Sequence, residues 1–414
     1  MKIHIANFYG TRNKGDELML RGLIGELRNQ EIKKISVSTF YDPEIDKTVV
    51  DEVQFVNSLS NVSNNFVGKI TLLFSYILIR FKFINVAKKL LISNNTSLTD
   101  TFNSIEEADY IITTGGPFFQ ESTKKKLISY PTLNYITSFI ELLYGSSKGI
   151  PYSVVGQSFS KIDFKISKNE FNNILEKAEK IAGRESYSVH LFRESMNCPK
   201  KIDVIPDLGL SKSLYDIEIE EILRENLICV NVRSMNIEAL KYLIGADLSY
   251  EELHKKYVDT VASAIRNIIS ANQDYKILFL CQAINDDVYI SKEVIKKANL
   301  KENQYEIIDE KIDLQTYIDI IRKCKFAIVT RYHSMIISLI THTPFVALAY
   351  SPKITGALND YGLKRSNLRN KNFSSEEILR QFRKYAVMKE VLFLEKKDVS
   401  LKVTLTNYMS NIFS

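Results

Sequence analysis

The chain of 414 residues contains little that points to metal, disulfide or serine-nucleophile chemistry. Its four cysteines stand far apart without a CxxC pair, which predicts buried thiols in a reducing compartment. It has no HExxH motif, no cluster of Cys and His, and no DxD tripeptide, so no metal site is indicated. It also has no GxSxG elbow, which leaves catalysis by a nucleophilic serine without support.

Charge and length exclude further classes of protein. The net charge of +6 is modest and the basic residues are scattered, so no nucleic-acid partner is indicated. A chain of 414 residues exceeds the size of a single core, which favours two domains. The opening MKIHIANFYG has no basic region followed by an apolar leader, so we expect no cleaved export signal and a cytoplasmic protein.

The longest apolar run is too short to cross a bilayer. Residues 70–79 are apolar between Lys69 and Arg80, whereas a membrane-spanning helix needs about 20 such residues. The wider segment 66–91 is basic and amphipathic. A helix packed on its own domain is the plainer interpretation of this segment, and peripheral contact with the inner face of an anionic membrane is the alternative.

Strand-like and helix-like segments alternate almost throughout the chain. The first strand begins near Ile3, and the pattern starts again at NLICVNVRS, from Asn226. This alternation predicts an α/β protein with two doubly wound, Rossmann-like domains that face each other across a cleft. We predict a first domain over residues 1–205, a second over 206–373, and a helical segment over 374–414 that crosses back to the first.

The strongest candidate site lies between residues 326 and 363. The apolar run from Phe326 to Val329 predicts a buried strand, and a second apolar strand, PFVALAY, follows Pro344. Ligands of open α/β sheets bind where strands end and helices begin. The residues that follow these two strands are Arg331, Tyr332, His333, Ser351 and Lys353. They predict a rim that binds an anionic substrate.

Two further arginines stand at strand ends. Arg233 ends the first strand of the second domain, and two arginines at neighbouring strand ends favour anion binding over surface ion pairs. Arg184 is either a ligand contact or a partner for Glu185 and its neighbours. Among the five histidines, His333 stands out because it lies at a strand-to-helix junction beside an arginine. A capping or core role is its alternative.

Glycines follow two strands of the first domain. Asn13, Gly15 and Asp16 come after the first strand, where free amides at a helix start suit an anion or hydroxyl ligand. The alternative is that Asp16 only complements the helix dipole. Gly115 and Gly116 precede two phenylalanines, Phe118 and Phe119, which we expect to be exposed and to stack on a sugar. A tight turn alone is the alternative for these glycines.

Together these residues resemble the polysaccharide pyruvyltransferases over residues 1–365. The motifs that carry the resemblance are Tyr9-Gly10, Gly15-Asp16-Glu17, Gly115-Gly116, Gly156-Gln157-Ser158, Arg184-Glu185-Ser186, Pro206-Asp207, Arg331-Tyr332-His333 and Tyr350-Ser351-Pro352-Lys353. The sequence has Tyr332 where the family usually has Leu, and Glu185 where it usually has Asp. The resemblance implies a two-domain architecture similar to glycosyltransferase B (GT-B), with the acceptor on the first domain and the donor on the second.

The resemblance also implies a reaction and roles for residues. The activity would move an enolpyruvyl unit from phosphoenolpyruvate to a sugar of a lipid-linked or polymeric glycan, as a ketal. Arg331, Arg233, Arg184 and Lys353 would hold the donor's two anionic groups, so no metal or other cofactor is expected. His333 would act as general acid and Asp16 as base. Two alternatives remain: a nucleotide-sugar glycosyltransferase of the same architecture, and a non-catalytic protein that binds acidic glycans.

Overall fold

The computed structural model describes residues 1–48, 50, 52–61, 66–121, 137–198, 200–211, 224–271, 273–282, 284–309, 311–385 and 388–413. Contacts between Cα atoms divide the chain into two compact units. The first unit comprises Met1–Leu214 together with Thr404–Ser414, and the second comprises Tyr215–Val403. Each unit contains one parallel sheet with helices between successive strands, as the alternating pattern predicts.

The first unit has a seven-stranded sheet with the order β3-β2-β1-β4-β5-β6-β7. Its strands are β1 Lys2–Phe8, β2 Lys34–Thr39, β3 Gln54–Asn57, β4 Tyr110–Thr113, β5 Tyr152–Gln157, β6 Ile181–Gly183 and β7 Asp203–Val204. Its helices are Lys14–Asn29, Pro43–Asp46, Phe66–Arg80, Ile84–Asn94, Leu98–Glu106, Ile140–Ser147, Lys165–Lys177 and Ser186–Ser195, and a 3-10 turn spans Leu208–Leu210.

Apolar residues cover both faces of this sheet. On β4, Ile111 belongs to one buried apolar cluster and Ile112 to another. On β5, Val154 and Val155 divide between the same two clusters. Because successive side chains of a strand point to opposite faces, a run of consecutive apolar residues is what a sheet covered on both faces requires.

The second unit has a six-stranded sheet with the order β10-β9-β8-β11-β12-β13. Its strands are β8 Glu225–Asn231, β9 Lys276–Leu280, β10 Tyr305–Ile308, β11 Cys324–Val329, β12 Phe345–Leu348 and β13 Asn367–Leu368. Its helices are Ile237–Ile244, Tyr250–Ala271, Ile284–Ala298, Leu314–Lys323, Tyr332–Ile340, Pro352–Asp360, Ser375–Tyr385 and Met388–Ser410, with 3-10 turns at Glu302–Gln304, Lys364–Ser366 and Asn370–Asn372.

The helix Met388–Ser410 contributes residues to both units, because the division falls after Val403. Beyond that point, Leu405 and Met409 are fully buried among the apolar residues of the first unit. They join a cluster that also contains Ile3 of β1. The end of the chain is therefore part of the core around its beginning.

All four cysteines are free thiols. Cys229, Cys281 and Cys324 are buried, as their apolar sequence context predicts, and Cys198 is half-buried. Burial raises the pKa of the Cys198 thiol above its ordinary value. Little reactive thiolate therefore exists at neutral pH on this residue.

Candidate functional site

In the first unit, the strand order reverses between β1 and β4. The chain passes from β1 to β2 and β3 on one side, whereas β4 and β5 lie on the other. Ligands of open α/β sheets bind at the carboxyl ends of the strands at such a reversal. The loops that follow β1 and β4, together with the first turn of the helix Lys14–Asn29, carry five of the residues that the sequence predicts, namely Asn13, Gly15, Asp16, Gly115 and Gly116.

Asn13 is the N-cap of the helix Lys14–Asn29. Its side-chain oxygen accepts a hydrogen bond from the Gly15 amide at 3.0 Å, which satisfies one of the donors that a helix start leaves unpaired. Asp16 follows in the first turn, where the helix dipole stabilises a carboxylate. The position of Asp16 thus agrees with the alternative interpretation from the sequence, in which its charge complements the helix dipole.

The burial of Asp16 gives it a further property. The residue is 7% exposed, and burial raises the pKa of its carboxyl to about 7. The positive charge of Arg184 and a hydrogen bond with Asn13 lower this pKa, and the negative charge of Asp207 raises it. A carboxyl with a pKa near 7 changes its protonation state at neutral pH, which suits a general base or acid.

Arg184 is buried and surrounded by polar partners of the first unit. Its Nη1 donates to Asp207 Oδ2 at 2.9 Å, and its Nε donates to Ser158 Oγ at 2.9 Å. The Nε also lies 3.5 Å from Glu185 Oε2. These contacts match the second of the two sequence-based interpretations, in which Arg184 pairs with its neighbours. Contact between Arg184 and an anionic substrate stays a prediction.

Gly115 occupies a place that no side chain can share. A Cβ atom there would lie 2.6 Å from Met19 Sδ and 2.7 Å from the Gly156 carbonyl oxygen. Gly116 adopts a φ of +146°, which other residues rarely take. The Thr114 hydroxyl ties this loop to β1, since it donates to the Asn7 carbonyl at 2.6 Å. Tight packing accounts for both glycines, and ligand contact by their amides stays a prediction.

The prediction that Phe118 and Phe119 are exposed is wrong. They are 1% and 0% exposed, because both rings pack into an aromatic core of the first unit. The exposed ring at this edge is Tyr9, which is 39% exposed. Phe118 stacks behind Tyr9 with ring centroids 4.7 Å apart and planes 8° apart. The structure thus offers a different aromatic surface from the one that the sequence predicts.

In the second unit, the strand order reverses between β8 and β11. Asn231 is the last residue of β8, and its side-chain oxygen accepts from the Arg331 amide at 3.1 Å and from Ser334 Oγ at 3.2 Å. Its side-chain nitrogen donates to the Leu280 carbonyl of β9 at 2.7 Å. One buried amide therefore holds the ends of three strands in a fixed arrangement.

Arg331 is the N-cap residue of the helix Tyr332–Ile340. Its Nη2 donates to Asp287 Oδ1 at 2.6 Å, and Asp287 Oδ2 accepts from the Gln282 amide at 3.0 Å. Asp287 is fully buried, so this pair fixes the guanidinium. Among the residues that the structure describes, the buried Nε of Arg331 has no hydrogen-bond partner.

Arg233 lies at the neighbouring strand end, after β8. Its Nη1 donates to the Tyr350 hydroxyl at 2.7 Å, and the guanidinium carbon lies 4.8 Å from the centre of the same ring. Burial raises the pKa of the Tyr257 hydroxyl well above its ordinary value, and the charges of Arg233 and Arg331 both act to lower it. Both arginines thus lie near the Tyr257 hydroxyl and follow the neighbouring strands β8 and β11. The structure therefore places them at the same edge of the sheet, as the sequence predicts.

His333 and its predicted neighbours are partly accessible. His333 is the second residue of the helix Tyr332–Ile340, and its ring meets the Tyr332 ring edge-on with centroids 5.2 Å apart. Ser351 is the N-cap residue of the helix Pro352–Asp360, in which Lys353 is the second residue. All four side chains are half-buried, so a core role for His333 does not describe its position.

Asp287 is a residue of this site that the sequence motifs do not indicate. A detectable pattern existed: Asp287 shares the buried face of the helix Ile284–Ala298 with Ile290 and Val294, at helical spacing. A carboxylate on an apolar helix face needs a partner, and Arg331 provides it. Asn231 and Tyr350 were recognised as strand-end residues but not as site residues.

No three side chains among His, Cys, Asp and Glu come together as a metal site in the described ranges.

Comparisons with known proteins bear on the family and the fold. The model of the family Polysaccharide pyruvyl transferase matches residues 13–352. No curated protein matches the chain. The matched range contains the strand-order reversal between β8 and β11 and eleven of the twelve residues that the sequence predicts for the site, and Lys353 lies one residue beyond it.

Solved structures with a similar fold share little sequence. A glycosyltransferase from Rickettsia africae has a TM-score of 0.59 and 12% identity, with 99% of this chain and 95% of that chain covered. A UDP-GlcNAc 2-epimerase from Neisseria meningitidis bound to UDP-GlcNAc has a TM-score of 0.58 and 12% identity, with 100% of this chain and 98% of that chain covered. Anabaena Alr3699/HepE in complex with UDP and glucose has a TM-score of 0.58 and 12% identity, with 99% of this chain and 100% of that chain covered. These likenesses confirm the GT-B-like fold class.

Proposed function

The chain belongs to the polysaccharide pyruvyl transferase family, and from this premise we propose that it transfers a pyruvyl group from phosphoenolpyruvate to a sugar. Two hydroxyls of the sugar would become a pyruvate ketal, and phosphate would be released. The observation that carries the proposal is the pair of fixed guanidiniums, Arg331 and Arg233, at adjacent strand ends beside a half-buried histidine, His333.

The donor carries a carboxylate and a phosphate, which require several cations. Arg331 and Arg233 supply planar donor groups that suit both anions. The buried Nε of Arg331, which has no hydrogen-bond partner in the described part of the chain, offers a donor. Lys353 and the Ser351 hydroxyl follow the next strand of the same sheet and would complete the set. No metal ion needs to be invoked when arginines neutralise the charge.

The proposed chemistry begins with a proton transfer. His333 gives a proton to the methylene carbon of the enol, which leaves an oxocarbenium-like carbon. A sugar hydroxyl adds to this carbon and loses its proton. The bond to the phosphate oxygen then breaks, and the second hydroxyl adds and loses its proton to close the ketal. The carbon takes up one proton and the hydroxyls release two. One of these restores the proton of His333, and the other leaves on the released phosphate as hydrogen phosphate.

Asp16 is the proposed acceptor of a hydroxyl proton in the first unit. A pKa of about 7 means that its carboxylate form is available at neutral pH and can take up a proton. Activity should therefore fall as the pH drops below about 7, because protonated Asp16 no longer acts as a base. The exposed ring of Tyr9, backed by Phe118, would stack on a face of the acceptor sugar.

The acceptor is proposed to be a lipid-linked or polymeric glycan precursor, modified in the cytoplasm. Phosphate release measures the reaction directly. The purified protein would be incubated with phosphoenolpyruvate and a panel of galactosides, mannosides and N-acetylhexosamines. Release that depends on an acceptor supports pyruvyl transfer. Turnover of a sugar nucleotide instead of phosphoenolpyruvate would overturn the proposal in favour of a glycosyltransferase, and binding of a glycan without any turnover would favour a glycan-binding protein.

The role of His333 has its own test. His333→Ala should abolish phosphate release, while phosphoenolpyruvate binding measured by calorimetry is retained in part. His190→Ala is the matched control, because His190 is an exposed histidine paired with Glu194 in the helix Ser186–Ser195. Turnover retained in His333→Ala would overturn the acid assignment, and an equal loss in His190→Ala would show that the effect is not specific.

A further inference from the structure

Two successive helices of the first unit, Phe66–Arg80 and Ile84–Asn94, form a hairpin with an apolar outer surface. We call residues 66–94 the helical hairpin. Its exposed large apolar side chains are Phe66, Val67, Ile70, Phe74, Ile77, Phe81, Phe83 and Val86. From residue 67 to residue 81 they recur at intervals of three or four, so they form one stripe along the first helix and just past its end.

The opposite side of the first helix holds the hairpin on its domain. Leu72, Tyr76 and Ile79 are buried in the core of the first unit. The Tyr76 hydroxyl donates to Glu170 Oε2 at 2.8 Å, and Arg80 Nε donates to the same oxygen at 3.1 Å. These contacts fix the rotation of the helix, so the exposed stripe is a set surface of the folded unit.

A helix with one side packed on a domain normally turns polar residues to water. Here the outward side carries phenylalanine instead: Phe66 is 78% exposed, Phe74 is 54% exposed and Phe81 is 72% exposed. A contiguous exposed apolar surface of this kind marks a contact with a partner or a membrane. The buried side accounts for the packed-helix interpretation from the sequence, but it leaves the outer stripe without an explanation.

The charges on the helical hairpin indicate which partner fits. Residues 66–94 contain five basic residues and no acidic residue. Arg80 and Lys88 are paired with Glu170 and Glu106 of neighbouring helices, whereas Lys82 and Lys89 are exposed. Lys177 lies close enough to Lys82 and Arg80 that their charges, together with burial, lower the pKa of its ammonium. The surface therefore combines exposed aromatic side chains, of the kind that insert into a bilayer, with positive charge. This combination matches an anionic lipid surface.

No helix in the described part of the chain has the length and apolar content needed to cross a bilayer. We propose that the helical hairpin lies in the interface of a bilayer that contains anionic phospholipid. The phenylalanines enter the boundary between headgroups and acyl chains, and the lysines contact the phosphates. This inference is independent of the donor chemistry, and it goes beyond pyruvyl transfer because it assigns a second binding surface.

Sedimentation with vesicles tests the proposal. The full-length protein should bind vesicles of phosphatidylcholine and phosphatidylglycerol, and bind vesicles of phosphatidylcholine alone at least about tenfold more weakly. Phe74→Ser combined with Phe81→Ser should weaken binding at least about tenfold, because two large side chains lose their apolar environment. Lys82→Glu combined with Lys89→Glu should weaken binding to the anionic vesicles and leave binding to neutral vesicles unchanged.

Exposed valines provide a matched control. Val67→Ser with Val86→Ser removes two valines of the helical hairpin that are 62% and 53% exposed. Val399→Ser with Val403→Ser removes two valines elsewhere that are 53% and 52% exposed. The first pair should lower vesicle binding and the second should not. All four side chains are exposed, so the thermal unfolding temperature should stay within a few degrees for both variants.

Three results would overturn the proposal. One is a wild-type protein that fails to bind anionic vesicles, and another is equal binding by the two valine variants. The third is a wild-type dimer that Phe74→Ser with Phe81→Ser converts to a monomer, without vesicle binding by either form. That outcome would assign the surface to a second copy of the chain. Because no substrate is present in these assays, a failure here is separate from a failure of pyruvyl transfer.

Discussion

At the residue scale, burial decides what Asp16 can do. A carboxyl at the start of a helix is usually exposed and ionised, with the dipole in its favour. Asp16 is instead enclosed near Arg184 and Asp207, and the loss of hydration outweighs the attraction of the guanidinium, so its pKa rises to about 7. The same environment that makes Asp16 a suitable base also makes its charge costly for the folded chain.

This cost predicts a dependence of stability on pH. The pKa of Asp16 is about 7 in the folded chain and near 3.8 when unfolded, so between these values the folded chain holds one more proton. Raising the pH through this window lowers the free energy of unfolding. Asp16→Asn removes the penalty and should gain up to about 4 kcal/mol over the wild type near pH 8, with little gain near pH 4.

Urea unfolding at both pH values measures the difference. Glu31→Gln is a suitable control, because Glu31 is an exposed acid in the loop that follows the same helix. Its variant should follow the wild type at both pH values. A gain for Asp16→Asn that is the same at pH 4 and pH 8 would contradict the raised pKa.

The second residue-scale prediction concerns Arg331. Arg331→Lys keeps the positive charge but loses the planar group that Asp287 holds at 2.6 Å. We expect the KM for phosphoenolpyruvate to rise at least about tenfold, which is the effect of losing one charge-assisted hydrogen bond. Steady-state kinetics at fixed acceptor concentration measure this change. Arg322→Lys, at a half-buried arginine paired with Asp319, should leave KM unchanged; a similar rise there would contradict a specific role for Arg331.

At the scale of elements, the loop after β4 depends on the absence of a side chain. Gly115→Ala would place a Cβ 2.7 Å from the Gly156 carbonyl oxygen, which belongs to the backbone of β5 and has little room to move. We expect a loss of about 1–3 kcal/mol in the free energy of unfolding. Met19→Ala should not restore it, because the contact with Gly156 persists. Urea unfolding measures both variants.

Gly149 provides the control for that substitution. A Cβ at Gly149 meets nothing within 4 Å, and the only penalty of Gly149→Ala comes from its φ of +83°. It should therefore cost about 1 kcal/mol. If Gly149→Ala destabilised the protein as much as Gly115→Ala, the close approach of β4 and β5 would not explain the effect.

The central strands could be predicted from the sequence, whereas three edge strands could not. β4 and residues 326–329 of β11 are buried on both faces and are almost entirely apolar, whereas β1 combines apolar residues with the buried polar residues His4 and Asn7. β3, β7 and β13 stand at or next to unpaired edges, have two to four residues, and include polar residues such as Gln54, Asp203 and Asn367. A short edge strand forms because a neighbour offers hydrogen bonds, and that neighbour is not visible in the local pattern.

The candidate site likewise has some features that the sequence predicts and others that it does not. The positions of Arg233, Arg331 and His333 follow from where strands end, which the apolar runs reveal. The partners of these residues come from distant segments: Asp287 reaches Arg331 from another helix, and Tyr350 reaches Arg233 from another strand. The burial of Phe118 and Phe119 depends on aromatic residues such as Phe139 and Phe171, which local spacing does not connect to them. Local patterns therefore locate a site but do not give its contacts.

At the scale of the whole molecule, the end of the chain stabilises its beginning. Leu405 is fully buried in the first unit, although nearly two hundred residues of the second unit precede it. Leu405→Ala should cost about 2–5 kcal/mol, the usual effect of truncating a buried leucine. Hydrogen exchange should show faster exchange of the amides of β1 and β4. Val403→Ala, at an exposed position of the same helix, should leave this exchange unchanged; faster exchange there would contradict the packing argument.

The state of the four cysteines has a practical consequence for measuring distances between the two units. Three thiols are enclosed and the fourth, Cys198, is half-buried with a raised pKa, so all four should react slowly with maleimides at neutral pH. A cysteine introduced at an exposed position of each unit would react first. Fluorophore pairs could then be attached to the otherwise unaltered chain, and energy transfer between them would report the distance between the two units.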